Sequence, residues 1–256
     1  MKTTMSMFLL TAALLTPTAP LFAQGSTMQG SLQAVSPALG QYTEQSLLGD
    51  VWNRPGLSKR DRSVVTLAAL VSRNQTIELP RYLNLALDNG VKATEISELI
   101  THLAFYTGWA NAVGAASAAK DVFEARKIGP DQLPPASPKP LALDEKAEAV
   151  RAARVGEQFG AMFPGVVRNT TEMLFKDLWL RPDLAARDRS LVTVSALIAT
   201  GQVPQIPYHL NRAMDSGLTQ AEVGESLAQL AFYSGWPSVF SAMPVVKEVF
   251  EKRGKQ

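Results

Sequence analysis

The sequence predicts an all-α protein built from two tandem helical repeats. Residues 52–123 align with residues 179–250 without a gap at a constant shift of 127, and about 31 of the 72 paired positions are identical. Within each repeat, apolar residues recur at helical spacing, and no stretch alternates with a period of two. Duplication and helical periodicity together predict two four- or five-helix units that pack on each other.

The first 36 residues are expected to precede both repeats. A lysine at position 2, a short apolar stretch over 7–15 and prolines at 17 and 20 are typical of a secretory signal peptide covering residues 1–23. The alternative is a disordered or membrane-tethered N-terminus. Residues 24–36 are small and polar, which predicts a flexible leader. The mature chain is therefore expected to be secreted or periplasmic, with no integral membrane segment.

The first helical domain is predicted over residues 37–127. Ser58 and Asp61 are expected to form a capping pair at the start of its first helix, and Gly90 is expected to be the left-handed stop of the next one. The helices are predicted near 61–73, near 79–88, through the apolar positions between 96 and 103, and over about 110–124.

The two domains are predicted to be joined by a proline-rich linker over residues 128–143. Five prolines lie within 130–140, and proline restricts the backbone and removes hydrogen-bond donors, so this segment is expected to be extended and semi-rigid. The second domain, over residues 144–256, begins with a helical lead-in over 144–159. Its third helix is predicted to open with a capping box between Thr219 and Glu222.

The composition excludes several functional classes. The chain has no cysteine, which rules out thiol nucleophiles, CxxC redox pairs, thiolate metal sites and disulfides. It has only two histidines, which argues against a zinc site with several histidine ligands in one subunit. The net charge of +2 gives no support for binding nucleic acid or an anionic membrane.

The repeated motifs resemble those of the carboxymuconolactone decarboxylase family, which has the AhpD-like fold. They are WxRPxLxxRDRS, then an NG or SG turn, then a segment that reads HLAFYTGW in the first copy. The resemblance covers both repeats and implies all-α subunits that associate into trimers or hexamers, so three tandem chains would form a pseudo-hexamer. The peroxide-reducing branch of the family uses a CxxC pair, which this chain lacks. The resemblance therefore implies the other branch, which decarboxylates a small molecule without a cofactor.

Most candidate site residues lie at positions where the two copies differ, namely 78 and 205, 82 and 209, and 102 and 229. Decarboxylation without a cofactor requires a group that delivers a proton to carbon and donors that stabilise a developing oxyanion. The family pattern has histidine at two positions of each copy, whereas each copy here keeps only one of them. The catalytic candidates are His102, Glu78, Tyr82 and His209, and the substrate-binding candidates are Tyr106, Gln205, Gln229 and Arg62.

Two arrangements of these candidates are possible. If each repeat builds its own pocket, Glu78 and Tyr82 lie with His102. If the second helix of one copy packs with the third helix of the other, His209 lies with His102 instead. In either arrangement Glu98, one helical turn before His102, is predicted to orient that imidazole and raise its pKa.

Each candidate also has a structural interpretation. The histidines can be satisfied core residues, the Arg-Asp-Arg segments at 60–62 and 187–189 can be ion networks at helix starts, and the four tryptophans can be core or interface anchors. The function predicted first is an exported enzyme acting on a small carboxylated or lactone-like molecule. The alternatives are a non-catalytic oligomeric binding module with a degraded pocket and, third, a peroxide- or stress-related role without its own redox thiols.

Overall fold

The computed structural model describes residues 30–255, and these residues form helices, turns and loops without a β-strand. The all-α prediction is therefore confirmed. The predicted signal peptide and residues 24–29 of the predicted leader lie outside the described residues. No helix within 30–255 is long and apolar enough to cross a membrane.

The chain divides into two compact units after Gly49. In the first unit, the described residues form helix α1 (30–35), helix α2 (Pro37–Gln41) and most of a π-helical stretch over Tyr42–Asp50.

The second unit contains both repeats in one compact body. Its first half consists of a 3₁₀ turn (Val51–Asn53) and helices α3 (Lys59–Ser72), α4 (Leu79–Asp88), α5 (Ala93–Thr107) and α6 (Trp109–Ala125). A 3₁₀ turn (Pro130–Gln132) and the remaining linker lead to α7 (Glu145–Phe159) and α8 (Pro164–Asn169). The second half consists of a π-helical turn (Thr170–Phe175), 3₁₀ turns at Leu178–Leu180 and Val203–Gln205, and helices α9 (Ala186–Ala199), α10 (Ile206–Asp215), α11 (Gln220–Ser234) and α12 (Trp236–Arg253).

The two repeats interleave. Helices α3 and α9 pack against each other at the centre, and almost every residue of both is buried. The third helix of each repeat crosses to the other one, so that α5 packs on α9 and α11 packs on α3. Residues from opposite repeats consequently meet at two equivalent places in the core, one where α5 packs on α9 and one where α11 packs on α3.

Local signals place the helix ends as predicted. The Ser58 hydroxyl accepts a hydrogen bond of 3.0 Å from the backbone N–H of Asp61, and the capping box between Thr219 and Glu222 is present. Gly90 has a φ of 88°, a left-handed conformation that is strained for residues with a Cβ atom. These ends fix where α4 turns into α5 and hence which side chains α5 presents to α9.

Ion pairs at the starts of α3 and α9 bridge the repeats reciprocally. Arg60 lies 2.7 Å from Asp188, and Arg187 lies 2.9 Å from Asp61. Both carboxylates are buried, and each accepts from the arginine beside it in sequence as well as from the arginine of the opposite repeat. For these four residues the ion-network interpretation is confirmed.

The linker is anchored to the second repeat. The Arg181 guanidinium donates to the carbonyl oxygens of Pro135 and Ala136, at 3.2 and 3.0 Å, and the N–H of Leu141 donates to the carbonyl of Leu180. The segment, which contains the 3₁₀ turn at Pro130–Gln132, is therefore held in place beside the residues that precede α9.

Candidate active site

The two histidines come from opposite repeats and meet in one aromatic cluster. The ring centroid of Tyr106 lies 4.7 Å from that of His102 and 5.3 Å from that of His209, so the two imidazole centroids are at most 10.0 Å apart, the sum of these distances. Trp179 contacts both imidazoles, at 5.2 and 6.2 Å. We call His102, Tyr106, Trp179, His209 and Arg212 the histidine cluster. Of the two arrangements considered from the sequence, the structure adopts the cross-repeat one.

His102 is fully buried and held as a neutral imidazole. Its Nε2 atom lies 2.7 Å from the Thr193 hydroxyl, which itself donates to the carbonyl of Arg189 and therefore accepts from His102. The Nδ1 atom lies 3.4 Å from Nη1 of Arg189, a group that can only donate. The ring proton is thus assigned to Nε2, and both ring nitrogens are used within the protein.

The prediction that Glu98 raises the pKa of His102 is wrong. The Glu98 carboxylate binds Arg181 and Arg189, with N–O distances of 2.8 and 3.1 Å. These two guanidinium groups neutralise its charge. Burial, and secondly the positive charge of Arg189, lower the pKa of His102 well below its ordinary range.

His209 is also neutral but is incompletely satisfied. Burial, with a smaller effect of the Arg212 charge, lowers its pKa to about 4. Its Nδ1 atom is buried and has no hydrogen-bond partner among the described residues. A buried polar atom without a partner is costly and calls for an explanation. His209 is therefore the histidine with a nitrogen left for a ligand.

Tyr106 has an unused proton. Its hydroxyl oxygen accepts from Nε1 of Trp179 at 2.9 Å, and no acceptor for its own proton lies within hydrogen-bond distance among the described residues. Burial raises the pKa of Tyr106, so the phenol stays protonated and remains a donor.

Arg212 is a residue that the sequence reasoning missed. It lies one helical turn after His209 on α10, and its guanidinium carbon is 4.1 Å from the centre of the Trp179 ring. It has no carboxylate partner among the described residues. Its counterpart in the first repeat is Leu85, so the difference between the copies was the signal that could have found it.

The equivalent place in the core holds a second set of residues, which we call the twin cluster: Gln229, Tyr233, Trp52, Tyr82 and Leu85. Nε1 of Trp52 donates to the Tyr233 hydroxyl at 2.9 Å, and that hydroxyl donates to the Tyr82 hydroxyl at 3.1 Å. Tyrosine and leucine stand here where the histidine cluster has histidine and arginine. In the twin cluster the Tyr233 proton therefore has an acceptor, which the Tyr106 proton lacks, and there is no imidazole.

Gln229 reproduces the hydrogen bonds of His102. Its amide nitrogen donates to the Thr66 hydroxyl at 3.1 Å, and its amide oxygen accepts from Arg62 at 3.2 Å. The same donor and acceptor directions occur at both places, which supports the assignment of the His102 proton to Nε2.

Among the described residues, no hydrogen bond or ion pair joins the remaining predicted site residues, Arg62, Glu78 and Gln205, to the histidine cluster. Arg62 has no exposed surface and binds Glu225 as well as Gln229, so it supports the twin cluster from within the core. Glu78 is the residue before α4 and influences Tyr82 electrostatically. Gln205 is exposed at the start of α10. Glu78 and Tyr82 are thus not brought together with His102.

Neither of two cavities in the described chain is lined by a histidine. They measure about 400 and 420 Å³ and lie along α5 and α6, with mainly apolar walls. We place the candidate site at the histidine cluster because converging titratable groups, and not volume alone, indicate chemistry. No group of three or more acidic or histidine side chains suited to a metal occurs in residues 30–255.

The neutral histidines predict a loss of stability on mild acidification. The ordinary histidine pKa is about 6.5 and that of folded His209 is about 4, so the unfolded chain binds more protons than the folded one between these values. The neutral form of His209 therefore contributes its whole stabilisation above pH 6.5. This contribution to the free energy of unfolding, about 3 kcal/mol for His209 alone, is lost as the pH falls towards 4.

Urea denaturation at successive pH values measures this effect. The variant His209→Tyr introduces the residue that Tyr82 provides in the twin cluster. It is expected to lose less stability between pH 6.5 and 4.5 than the wild type does. An equal slope in the variant and the wild type would show that His209 does not titrate in this way.

Comparisons with known proteins agree with the tandem architecture. The sequence profile described as "Carboxymuconolactone decarboxylase family" matches residues 37–121 and 164–248. A 4-carboxymuconolactone decarboxylase of Acinetobacter baylyi is 38% identical over 85 residues, which are 33% of this chain and 63% of that protein. A nitrosuccinic acid decarboxylase of Metarhizium robertsii is 37% identical over 67 residues, which are 26% of this chain and 47% of that protein. Each alignment spans less than two thirds of these two relatives.

Proposed function

The chain belongs to the carboxymuconolactone decarboxylase family, and on that premise we propose that it is a cofactor-independent decarboxylase acting on a small carboxylated or lactone-like molecule. The observation that carries the proposal is the histidine cluster, where His209 and Tyr106 keep an unused acceptor and an unused donor in a largely buried, aromatic environment. Two relatives named as decarboxylases support the same reaction class.

The cluster provides the groups that the reaction needs. Loss of CO₂ breaks a carbon–carbon bond and leaves its electron pair on a carbon conjugated with a carbonyl group, whose oxygen becomes negative. Tyr106 donates a hydrogen bond to that oxygen. His209, neutral in the free protein, takes up a solvent proton as the anionic substrate binds beside it and delivers this proton to the carbon. The net reaction consumes one proton.

His102 has a supporting role in this proposal. Both its nitrogens are bonded to Thr193 and Arg189, and it has no exposed surface. Its ring stacks on that of Tyr106, with the centroids 4.7 Å apart and the planes inclined by 26°, and fixes the position of the phenol. His209 is therefore the proton-transfer residue and His102 is a positioning residue.

The alternative function is a non-catalytic oligomeric binding module with a degraded pocket. The observation that favours it is the twin cluster, where tyrosine, glutamine and leucine replace the groups suited to chemistry. The same loss of function would then extend to the whole chain, and a ligand would bind without being converted.

Export and self-association complete the proposal. A signal peptide over residues 1–23 would direct the chain to the periplasm or the exterior. Large aromatic side chains are exposed at the starts of α6 and α12, namely Trp109, Trp236 and Phe240. These surfaces support a homo-oligomer, for which we propose a trimer of two-repeat chains.

The test is a turnover assay of the purified protein with 4-carboxymuconolactone and a panel of other carboxylated lactones, with CO₂ release as the readout. The variant Tyr106→Phe is expected to lower kcat about 100- to 1,000-fold, the usual cost of removing one oxyanion donor. Tyr233→Phe removes the equivalent hydroxyl from the twin cluster and is the matched control, with unchanged turnover.

The outcomes separate the two functions. CO₂ release that depends on Tyr106 and not on Tyr233 supports the decarboxylase. Equal turnover in the two variants would refute the site, and saturable binding without CO₂ release from any compound of the panel would favour the binding module.

A further inference from the structure

We propose that Arg212 is the specificity-determining residue of the histidine cluster and that, together with His209, it binds one carboxylate group of the ligand. The proposal names the chemical group that the site recognises, and it rests on the proposed function only for the identity of the site. The ligand class is a small mono- or dicarboxylate, and each chain holds one such site.

The surroundings of Arg212 favour an anionic ligand. Its guanidinium lies over the Trp179 ring at 4.1 Å and 5.6 Å from the centre of the Phe175 ring, so aromatic faces hold it in one orientation. Arg151 lies over the same Phe175 ring at 4.2 Å but binds the carboxylate of Glu148. Arg212 has no such partner among the described residues, and its planar donors match the geometry of a carboxylate.

A second, independent observation points to the same place. His209 lies one turn before Arg212 on α10 and is more than nine-tenths buried, and its Nδ1 atom has no hydrogen-bond partner in the described chain. The Tyr106 hydroxyl, whose ring centroid is 5.3 Å from that of His209, keeps a proton without an acceptor. A bound carboxylate supplies acceptors for Tyr106 and Arg212, and also for His209 once its ring is protonated.

The twin cluster shows what the same fold looks like without a ligand site. There the position of Arg212 is occupied by Leu85, and that of His209 by Tyr82, whose hydroxyl accepts from Tyr233. The Tyr233 proton therefore has an acceptor within the twin cluster, whereas that of its counterpart Tyr106 has none, and the twin positions carry neither the imidazole of His209 nor the guanidinium of Arg212. This difference predicts one carboxylate site per chain, although the fold provides two equivalent places.

The experiment uses succinate as the probe and histidine as the reporter. The chain has two histidines, and both lie in the cluster, so selective ¹³C and ¹⁵N labelling gives one set of NMR signals for each. Titration with succinate is expected to shift the His209 signals saturably in the millimolar range, with one site per chain by calorimetry. Succinamide, which has the same length without charge, is expected to leave them unchanged.

Arg212→Leu introduces the residue that the twin position already accommodates and is expected to weaken succinate binding about tenfold to a hundredfold. Arg212→Lys keeps the charge without the planar donors, and its succinate affinity is expected to lie between those of the wild type and Arg212→Leu. This variant preserves the test if the leucine variant fails to fold. Arg81→Leu is the matched control, because Arg81 lies over Tyr82 at 5.5 Å in the twin cluster.

Three results would overturn the proposal: no saturable shift with succinate, wild-type affinity in both Arg212 variants, or an equal loss of affinity in Arg81→Leu. Because binding is measured without turnover, the two proposals fail separately. Arg212-dependent binding without CO₂ release would leave this inference standing and refute the enzyme. CO₂ release together with wild-type succinate affinity in both Arg212 variants would do the reverse.

Discussion

Replacing His209 by tyrosine is expected to lower turnover of the carboxylated substrate by about 100- to 10,000-fold, the range typical of a lost general acid or base. The phenol has a much higher pKa than imidazole and is not protonated further near neutral pH, so it cannot carry the proton that the reaction consumes. The fold is expected to persist, because Tyr82 occupies the equivalent position and packs against Trp52 and Tyr233. Steady-state kinetics and circular dichroism measure the two effects.

His102→Gln is the comparison that identifies the active histidine. Gln229 makes the corresponding hydrogen bonds at the equivalent place, so glutamine is expected to satisfy Thr193 and Arg189 in the same way. Turnover should then fall by less than about tenfold, well below the effect of losing a proton-transfer group. A larger loss in His102→Gln than in His209→Tyr would reverse the roles proposed for the two imidazoles.

Replacing Glu98 by alanine is expected to reduce the free energy of unfolding by about 3–5 kcal/mol. Glu98 is 1% exposed and pairs with the equally buried Arg189, as well as with Arg181. Its removal leaves a guanidinium in the core without a carboxylate, and an uncompensated buried charge costs far more than an exposed pair contributes. Urea denaturation with an unchanged m-value is the measurement.

Glu225→Ala provides the matched control for this prediction. Glu225 pairs with Arg62 at the equivalent place, but its side chain is 15% exposed, whereas that of Glu98 is 1% exposed. Its removal is therefore expected to cost less than that of Glu98. A cost below about 1 kcal/mol for Glu98→Ala would mean that water reaches Arg189 once the carboxylate is gone.

The helices were predictable because their signals are local. The apolar periodicity, the cap at Ser58 and the glycine at position 90 each act within a few residues, and the structure contains all of them. The pairing of His102 with His209 was predictable only as one of two arrangements. Sequence spacing fixes neighbours on one helix, whereas the crossing of α5 onto α9 depends on packing between distant segments.

The partners of Glu98 show where sequence reasoning went wrong. Its position one turn before His102 suggested a local pair. Instead, Arg181 and Arg189 of the other repeat bind its carboxylate. Arg212 was overlooked for a related reason, because nothing in its immediate sequence distinguishes it from a solvated arginine. Its position over Trp179 and the leucine at its counterpart, Leu85, set it apart.

The interleaving of the repeats has a consequence for how such a protein can change. When two copies of one gene product associate symmetrically, every substitution appears at both symmetry-related places, so neither place can be altered alone. Joining the copies in one polypeptide removes that restriction. One of the two places can then retain reactive groups while the other gains tighter internal bonding, and a single chain can combine an adaptable half-core with a stabilising one.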